Sequence, residues 1–344
     1  MSIETLDKKS ESNIAQLLAK LNSAKEAIAK KPIVVLAILA AVLVIVIVLY
    51  LFVGTGRHTE FILIDRLLSG AVIVLVAVAV GYSTVVFQTV TGARILTPGV
   101  LGLENIYLFL QTLFVFMFAA TPFLSDDVGN FAVSVVFMVG FSLLIFLPLL
   151  TKGSKGVYVL LLVGIILSSL FASLNSFMHL IIDADTFMTV QGRMFTAFDM
   201  PDTLIMIIAA GVIALVIALA PSSRRLDVIS LGRDNAISLG INHKWACMRI
   251  LIIVAALVSV STVIAGPIMF LGLIAANLAY HFIKSYKHVF TIPAAMLIGA
   301  IALFASEFFI REVFTININV AVVINFFGGI YFIFLLLRER KKEK

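Results

Sequence analysis

The side chains that could do chemistry are few, and their spacing argues against catalysis. Histidines stand at positions 58, 179, 243, 281 and 288, with no H-E-x-x-H pair and no other spacing that gathers metal ligands. No G-x-x-x-x-G-K-S/T loop is present to cradle a phosphate, so the chain does not itself hydrolyse ATP through such a site. No Ser/His/Asp set stands out, and the single cysteine, Cys247, cannot close an internal disulfide. Neither a metal nor a cofactor is expected, and the chain does not read as an enzyme. Glu307 is the main charge inside an apolar run, and Arg311 sits four residues on, where a helix brings the two together. Such a pair either tethers a helix end at the interface or belongs to a proton path.

The elements that must position these groups are apolar helices. Of 344 residues, 62% are hydrophobic and 13% charged, well away from the balance of a soluble domain. No polar stretch is long enough for a separate globular core. The basic residues, which give a formal net charge of +6, sit in short segments between apolar runs. That placement orients a chain in a membrane and does not suggest nucleic acid. Its lipid contacts are therefore part of its environment.

Ten runs are long enough to cross about 30 Å of hydrocarbon. They lie near 33–53, 64–84, 103–121, 131–150, 157–177, 202–220, 247–265, 268–283, 289–309 and 319–337. The first is too long for a signal peptide and reads as a retained span. With both termini cytoplasmic, all but four of the 25 lysines and arginines fall inside, the exceptions being Arg57, Arg66, Arg193 and Arg311. The expected fold is all-α: a polytopic membrane protein of about ten transmembrane helices.

Three domain-level parts follow. Residues 1–31 carry Ile14, Leu17, Leu18, Leu21 and Ile28 at helical spacing, either an amphipathic helix on the inner surface or a solvated tail. Residues 32–338 form the membrane domain, with a long cytoplasmic connection at 222–245. Residues 339–344 are a basic tail. Two other polar segments exceed a minimal connection: an inner one, Thr91 to Glu104, and an outer one, His179 to Pro201.

Neutral polar residues enter the apolar runs at Gln88, Asn105, Gln111, Asn175, Asn277 and Asn325. In the fifth run Gly164, Ser168, Ala172 and Ser176 recur every four residues. Such a stripe either lets helices approach closely or lines a wide pathway. The long inner segment, LDVISLGRDNAISLGINHKWACMRI, reads as two short helices broken at Gly232 and Gly240. An element this apolar facing the cytoplasm suggests either a docking knob for another protein or an amphipathic connector.

The pattern L-x-x-x-x-L-G-x-x-x-A-x-x-L-G-I/V in that segment, followed by a span and then AGPIMFLGLI (Ala265 to Ile274), resembles the permeases of type II ABC importers, the FecCD-like family. LTPGVLG (Leu96 to Gly102), Glu307 with Arg311, and INFFGGIYFIFLLLR (Ile324 to Arg338) fit the same family. ARILTPGVLGLENIYLFLQT and FMTVQGRMF look most similar to the second permease of ferric catecholate-type siderophore systems. After GLI many members continue Val-Pro-His, where this chain has Ala275, Ala276 and Asn277.

The resemblance implies a permease subunit of an ATP-binding-cassette importer for an iron-siderophore complex, working by alternating access in the bacterial cytoplasmic (inner) membrane. Leu231, Gly232, Arg233, Ala236, Leu239, Gly240 and Ile241 would fill a groove on the ATPase subunit. Gly164, Ser168, Ala172, Asn175 and Ser176, with a short helix within Met178 to Val190, would line and gate the pathway. Arg57, Arg66 and Arg193 would receive an extracytoplasmic substrate-binding protein. The second permease would be a sister chain or a second copy. A different class, an ion-coupled secondary transporter, needs ionisable residues near mid-membrane and inverted repeats, neither of which is clear. A non-transporting scaffold leaves the long cytoplasmic motif without a purpose.

Overall fold

The computed structural model describes residues 31–54, 59–99, 102–118, 127–151, 156–194, 203–314 and 319–340. Residues 1–30, Arg57 and the end of the basic tail lie outside the described residues. The chain is all-helical, and among the described residues no strand occurs. In chain order the helices are α1 (Pro32–Phe52), α2 (Thr59–Thr91), α3 (Leu103–Phe118), α4 (Asp127–Thr151), α5 (Gly156–Ile181), α6 (Ala184–Met194) and α7 (Thr203–Ala218). They continue with α8 (Ser223–Ile229), α9 (Arg233–Ser238), α10 (His243–Ala265), α11 (Leu271–Phe282), α12 (His288–Phe308) and α13 (Val320–Arg340). A π-helical turn, Phe309–Phe314, extends α12.

Each of the ten apolar runs coincides with a helix, but they are not equally suited to cross a bilayer. Six of the described helices are long and apolar enough, or seven if α7 and α8, bent by 62°, form one span. Leu103–Met117, Leu271–Phe282 and Val320–Phe334 are shorter apolar helices.

The centre of the bundle is α2, α10 and α12, with α11 beside them. What lets these helices close on one another is the smallness of the residues between them. A Cβ on Gly81 of α2 would stand 2.9 Å from the Met296 backbone of α12, so this contact admits hydrogen only. Gly70 faces the Phe304 ring in the same seam. Helices α3 and α5 pair on one flank, with α4 joining them to α10, while α1 and α13 cover α12.

Helix ends are set by local chemistry. Asn242 caps α10 by accepting a hydrogen bond from Trp245 N at 3.2 Å. Gly266, at φ +74°, ends α10, and Asn325 of α13 bonds the following turn, donating to Pro267 O at 3.0 Å and accepting from Phe270 N at 3.4 Å. Non-helical backbone inside a membrane bundle needs such a partner. The described residues between Thr91 and Glu104 fold back against the bundle, burying Leu96, Thr97 and Glu104.

Candidate functional site

The segment 222–245 forms a knob of two short helices, α8 and α9, bounded by its two glycines. Gly232 adopts φ +93° and ψ 166°, a region open to glycine and little else, and it precedes α9. Gly240, at φ +82°, ends α9: its N–H bonds Ile237 O at 2.9 Å and Ile241 N–H reaches back to Ala236 O at 3.0 Å. This is the left-handed closure that glycine allows at a helix C-terminus. A side chain added at either glycine would meet no atom within 4 Å, so the demand is on backbone conformation and not on space.

The knob divides by face. Leu226, Ile229 and Ala236 are buried and hold it to the bundle. Leu231, Ile237, Leu239 and Trp245 point out, with Leu239 61% exposed. Arg233 is exposed, and Ile241 is partly buried. Four large apolar side chains presented together on a polar segment form the kind of patch that another protein covers.

Beneath the knob lies a link that sequence reasoning did not find. Asp227 Oδ1 of α8 accepts from His288 N at 2.8 Å and pairs with His288 Nδ1 at 2.6 Å. His288 Nε2 lies 2.7 Å from Thr89 Oγ1 near the C-terminal end of α2. Asp227 thereby caps the N-terminus of α12 from a separate segment. One imidazole joins the knob to two of the three central helices. Asp227 and His288 are 61 residues apart, and no spacing rule reaches that far.

Helix α5 places its expected pathway residues on two sides. Gly164 is buried. Ser168 Oγ accepts from Asn105 Nδ2 at 2.6 Å, and Asn175 Oδ1 accepts from Thr112 Oγ1 at 2.5 Å, so these residues fasten α5 to α3. Ala172 and Ser176 are exposed, together with Ser169 and Ser173. The serines at 173 and 176 donate to the carbonyls of Ser169 and Ala172, each at 2.9 Å, which satisfies their hydroxyls on an otherwise apolar face. The short helix after α5 begins later than expected, at Ala184, because α5 itself runs to Ile181. Asp183 sets its start, accepting from Thr186 N at 3.1 Å, and the Thr186 hydrogen bonds hold this carboxyl below its usual range.

Arg66, expected on the outer side, is not an exposed cation. It is 5% exposed and donates to Tyr50 O and Val53 O, both at 2.6 Å, and to Glu312 Oε1 at 2.5 Å. Its guanidinium ties α1, α2 and the π-helical turn together and lies buried beneath the surface that a partner would meet. Arg311 in the same turn bonds Glu307 Oε1 at 2.5 Å and Asp65 Oδ2 at 3.3 Å, as a tether of helix ends requires. Arg193 belongs to α6, and Arg57 lies outside the described residues. Among the described residues no cluster of His, Cys, Asp and Glu could hold a metal ion.

Known proteins resemble this chain in sequence and in fold. The chain is 41% identical over 308 residues to the petrobactin import system permease protein YclO of Bacillus subtilis, covering 89% of this chain and 98% of the relative. It is 33% identical over 277 residues to the petrobactin import system permease protein FatC of Bacillus anthracis, covering 80% and 78%. It is 26% identical over 283 residues to the ferric enterobactin transport system permease protein FepG of Escherichia coli, covering 78% and 80%. Its fold matches that of a metal-chelate type ABC transporter solved in an inward-facing conformation, with a TM-score of 0.74, 23% identity, and coverage of 88% and 98%. The FecCD transport family spans residues 33–338, and the chain is a member of it.

Proposed function

We propose that this chain is the membrane-spanning permease subunit of an ATP-binding-cassette importer for a ferric siderophore, with petrobactin or a chelate of its class as cargo. The observation that carries the reading is the knob at 222–245: two glycine-set helices anchored by Leu226, Ile229 and Ala236, presenting Leu231, Ile237 and Leu239 outward. Family membership says what such a knob faces, and the two petrobactin permeases, at 41% and 33% identity, suggest the cargo.

In this reading the chain makes ten crossings with both termini in the cytoplasm of a bacterium. Leu231, Gly232, Arg233, Ala236, Leu239, Gly240 and Ile241 dock the knob on an ATPase subunit, with Ala236 supporting the surface from within. Closure of two such ATPases on ATP pushes the knob, and the Asp227–His288–Thr89 link carries the displacement into α12 and α2. Access to the central pathway then alternates across the membrane. The exposed face of α5, with Ala172 and Ser176, meets the pathway or the second permease, a sister chain. Arg57 and Arg193 remain the outer docking groups for a substrate-binding protein.

Uptake of a panel of labelled ferric siderophores by a strain lacking this chain tests the cargo. Selective loss of ferric petrobactin uptake, restored by the wild-type gene and not by Gly240→Glu, is the expected result. Unchanged uptake of every chelate in the panel would overturn it.

A further inference from the structure

Two non-helical stretches meet inside the bundle: residues 92–99, following α2, and residues 266–270, between α10 and α11. Such backbone persists at membrane depth only where protein buries it or where it lines a polar cavity. Here it does line one, of about 30 Å³. Its wall includes Ser83 and Thr84 of α2, Thr97 and Glu104 beside the first stretch, and Ser261 and Thr262 of α10. Thr84 lies seven residues inside the C-terminal end of α2, about 10 Å at the helical rise, so the cavity is well within the bundle.

Glu104 is 6% exposed, in the first turn of α3, and its side chain lies over Gly99, where a Cβ would come within 2.9 Å of Oε1. Among the described residues no hydrogen-bond donor and no charged group bears on this carboxyl; burial is the one influence on it. Two of the hydroxyls around it are spent elsewhere. Ser83 gives its proton to Val80 O at 3.1 Å and Ser261 gives its own to Val258 O at 2.9 Å. Thr97 Oγ1 is buried without a partner. The carboxyl therefore has no counter-charge from the protein, and only a proton or a cation can supply one. A buried carboxylate in this position is costly unless a cation joins it.

We infer that this cavity binds one monovalent alkali cation of about sodium size, with Glu104 supplying the charge and Thr97 and the neighbouring hydroxyls supplying further oxygens. One carboxylate balances one positive charge, whereas a divalent ion would leave a buried excess. The ligands are all hard oxygens, without histidine or cysteine, which suits an alkali ion and not a transition metal. The volume holds one such ion with a water beside it. The cation ties the α2–α3 connection to the α10–α11 connection, at the level where both helix pairs break. The inference stands whichever chelate is carried.

The test is equilibrium binding of ²²Na⁺ to the full-length chain, purified with its subunits in detergent. Saturable binding of one ion per chain is expected, displaced by unlabelled sodium and not by choline. Glu104→Gln should weaken it about tenfold or more, the loss of one charged ligand. Should that variant fail to fold, the wild-type protein gives a second readout. Carbodiimide labelling of Glu104, mapped by mass spectrometry, should be suppressed by sodium and not by choline. Absence of saturable binding in the wild type, full binding by a folded Glu104→Gln, or equal labelling in sodium and choline would overturn the inference.

Discussion

Helices α10 and α5 are both apolar enough to cross a bilayer, yet 67% of the α10 window is buried inside the fold and 6% of the α5 window is. The two differ in what surrounds them more than in what they are made of. Helix α10 is gripped by α2 and α4 and ends in capped, hydrogen-bonded turns. Helix α5 touches α3 and α4 along one side and leaves Ile165, Ile166, Leu170 and Phe177 open beside Ala172 and Ser176. In a membrane protein apolarity does not say which face is inside, because lipid takes an apolar surface as readily as another helix does. Close contact is reported instead by glycine, by small residues and by satisfied polar groups. The centre α2–α10–α12 is thus a scaffold, and α5 is a face prepared for lipid, pathway or partner.

Size increases at the two places should therefore part sharply. Gly81→Leu, in the scaffold, forces a side chain into the Met296 backbone and should prevent accumulation of folded protein, while Gly81→Ala should cost about 1–3 kcal/mol. Thermal melting in detergent reads both. Next in size is Arg66→Met, which strands Glu312 and leaves two carbonyls without their donor; about 3–5 kcal/mol is expected for breaking a pair this buried. Retained stability in Arg66→Met would show the tie to be ornamental and reopen this arginine as a docking group. His288→Ala should lose about 1–3 kcal/mol and uncouple ATP hydrolysis from transport, and adding Asp227→Asn should recover part of the stability but not the coupling. The smallest effect belongs to α5: Ala172→Leu should leave melting within about 0.5 kcal/mol of wild type while lowering transport. A large loss of stability there would place this face inside the fold and erase the contrast.

How much was legible in the sequence follows the reach of each interaction. Helix positions were readable because a span declares itself by a continuous apolar run, and all ten runs became helices. The break points of the knob were readable because Gly232 and Gly240 act on their own φ. Partnerships were not. Arg66 looked like an outer loop cation because its partner Glu312 lies 246 residues away. The stripe on α5 announced a face, but nothing local told that Ser168 and Asn175 would bond α3 while Ala172 and Ser176 would stay open. Glu104 falls at the end of a polar connecting segment, although the apolar residues around it, Ile95, Leu96 and Leu103, are a signal that this segment would be drawn inward.

The central claim is that a nucleotide-driven subunit grips the knob and moves this scaffold. Reconstitution of the chain with its ATPase and partner permease into proteoliposomes tests it most directly. Accumulation of the labelled ferric chelate should require ATP and the ATPase subunit, persist when ionophores collapse ion gradients, and vanish in Gly240→Glu with assembly of the complex as the control. Accumulation driven by an ion gradient without the ATPase, or undiminished in Gly240→Glu, would contradict the account.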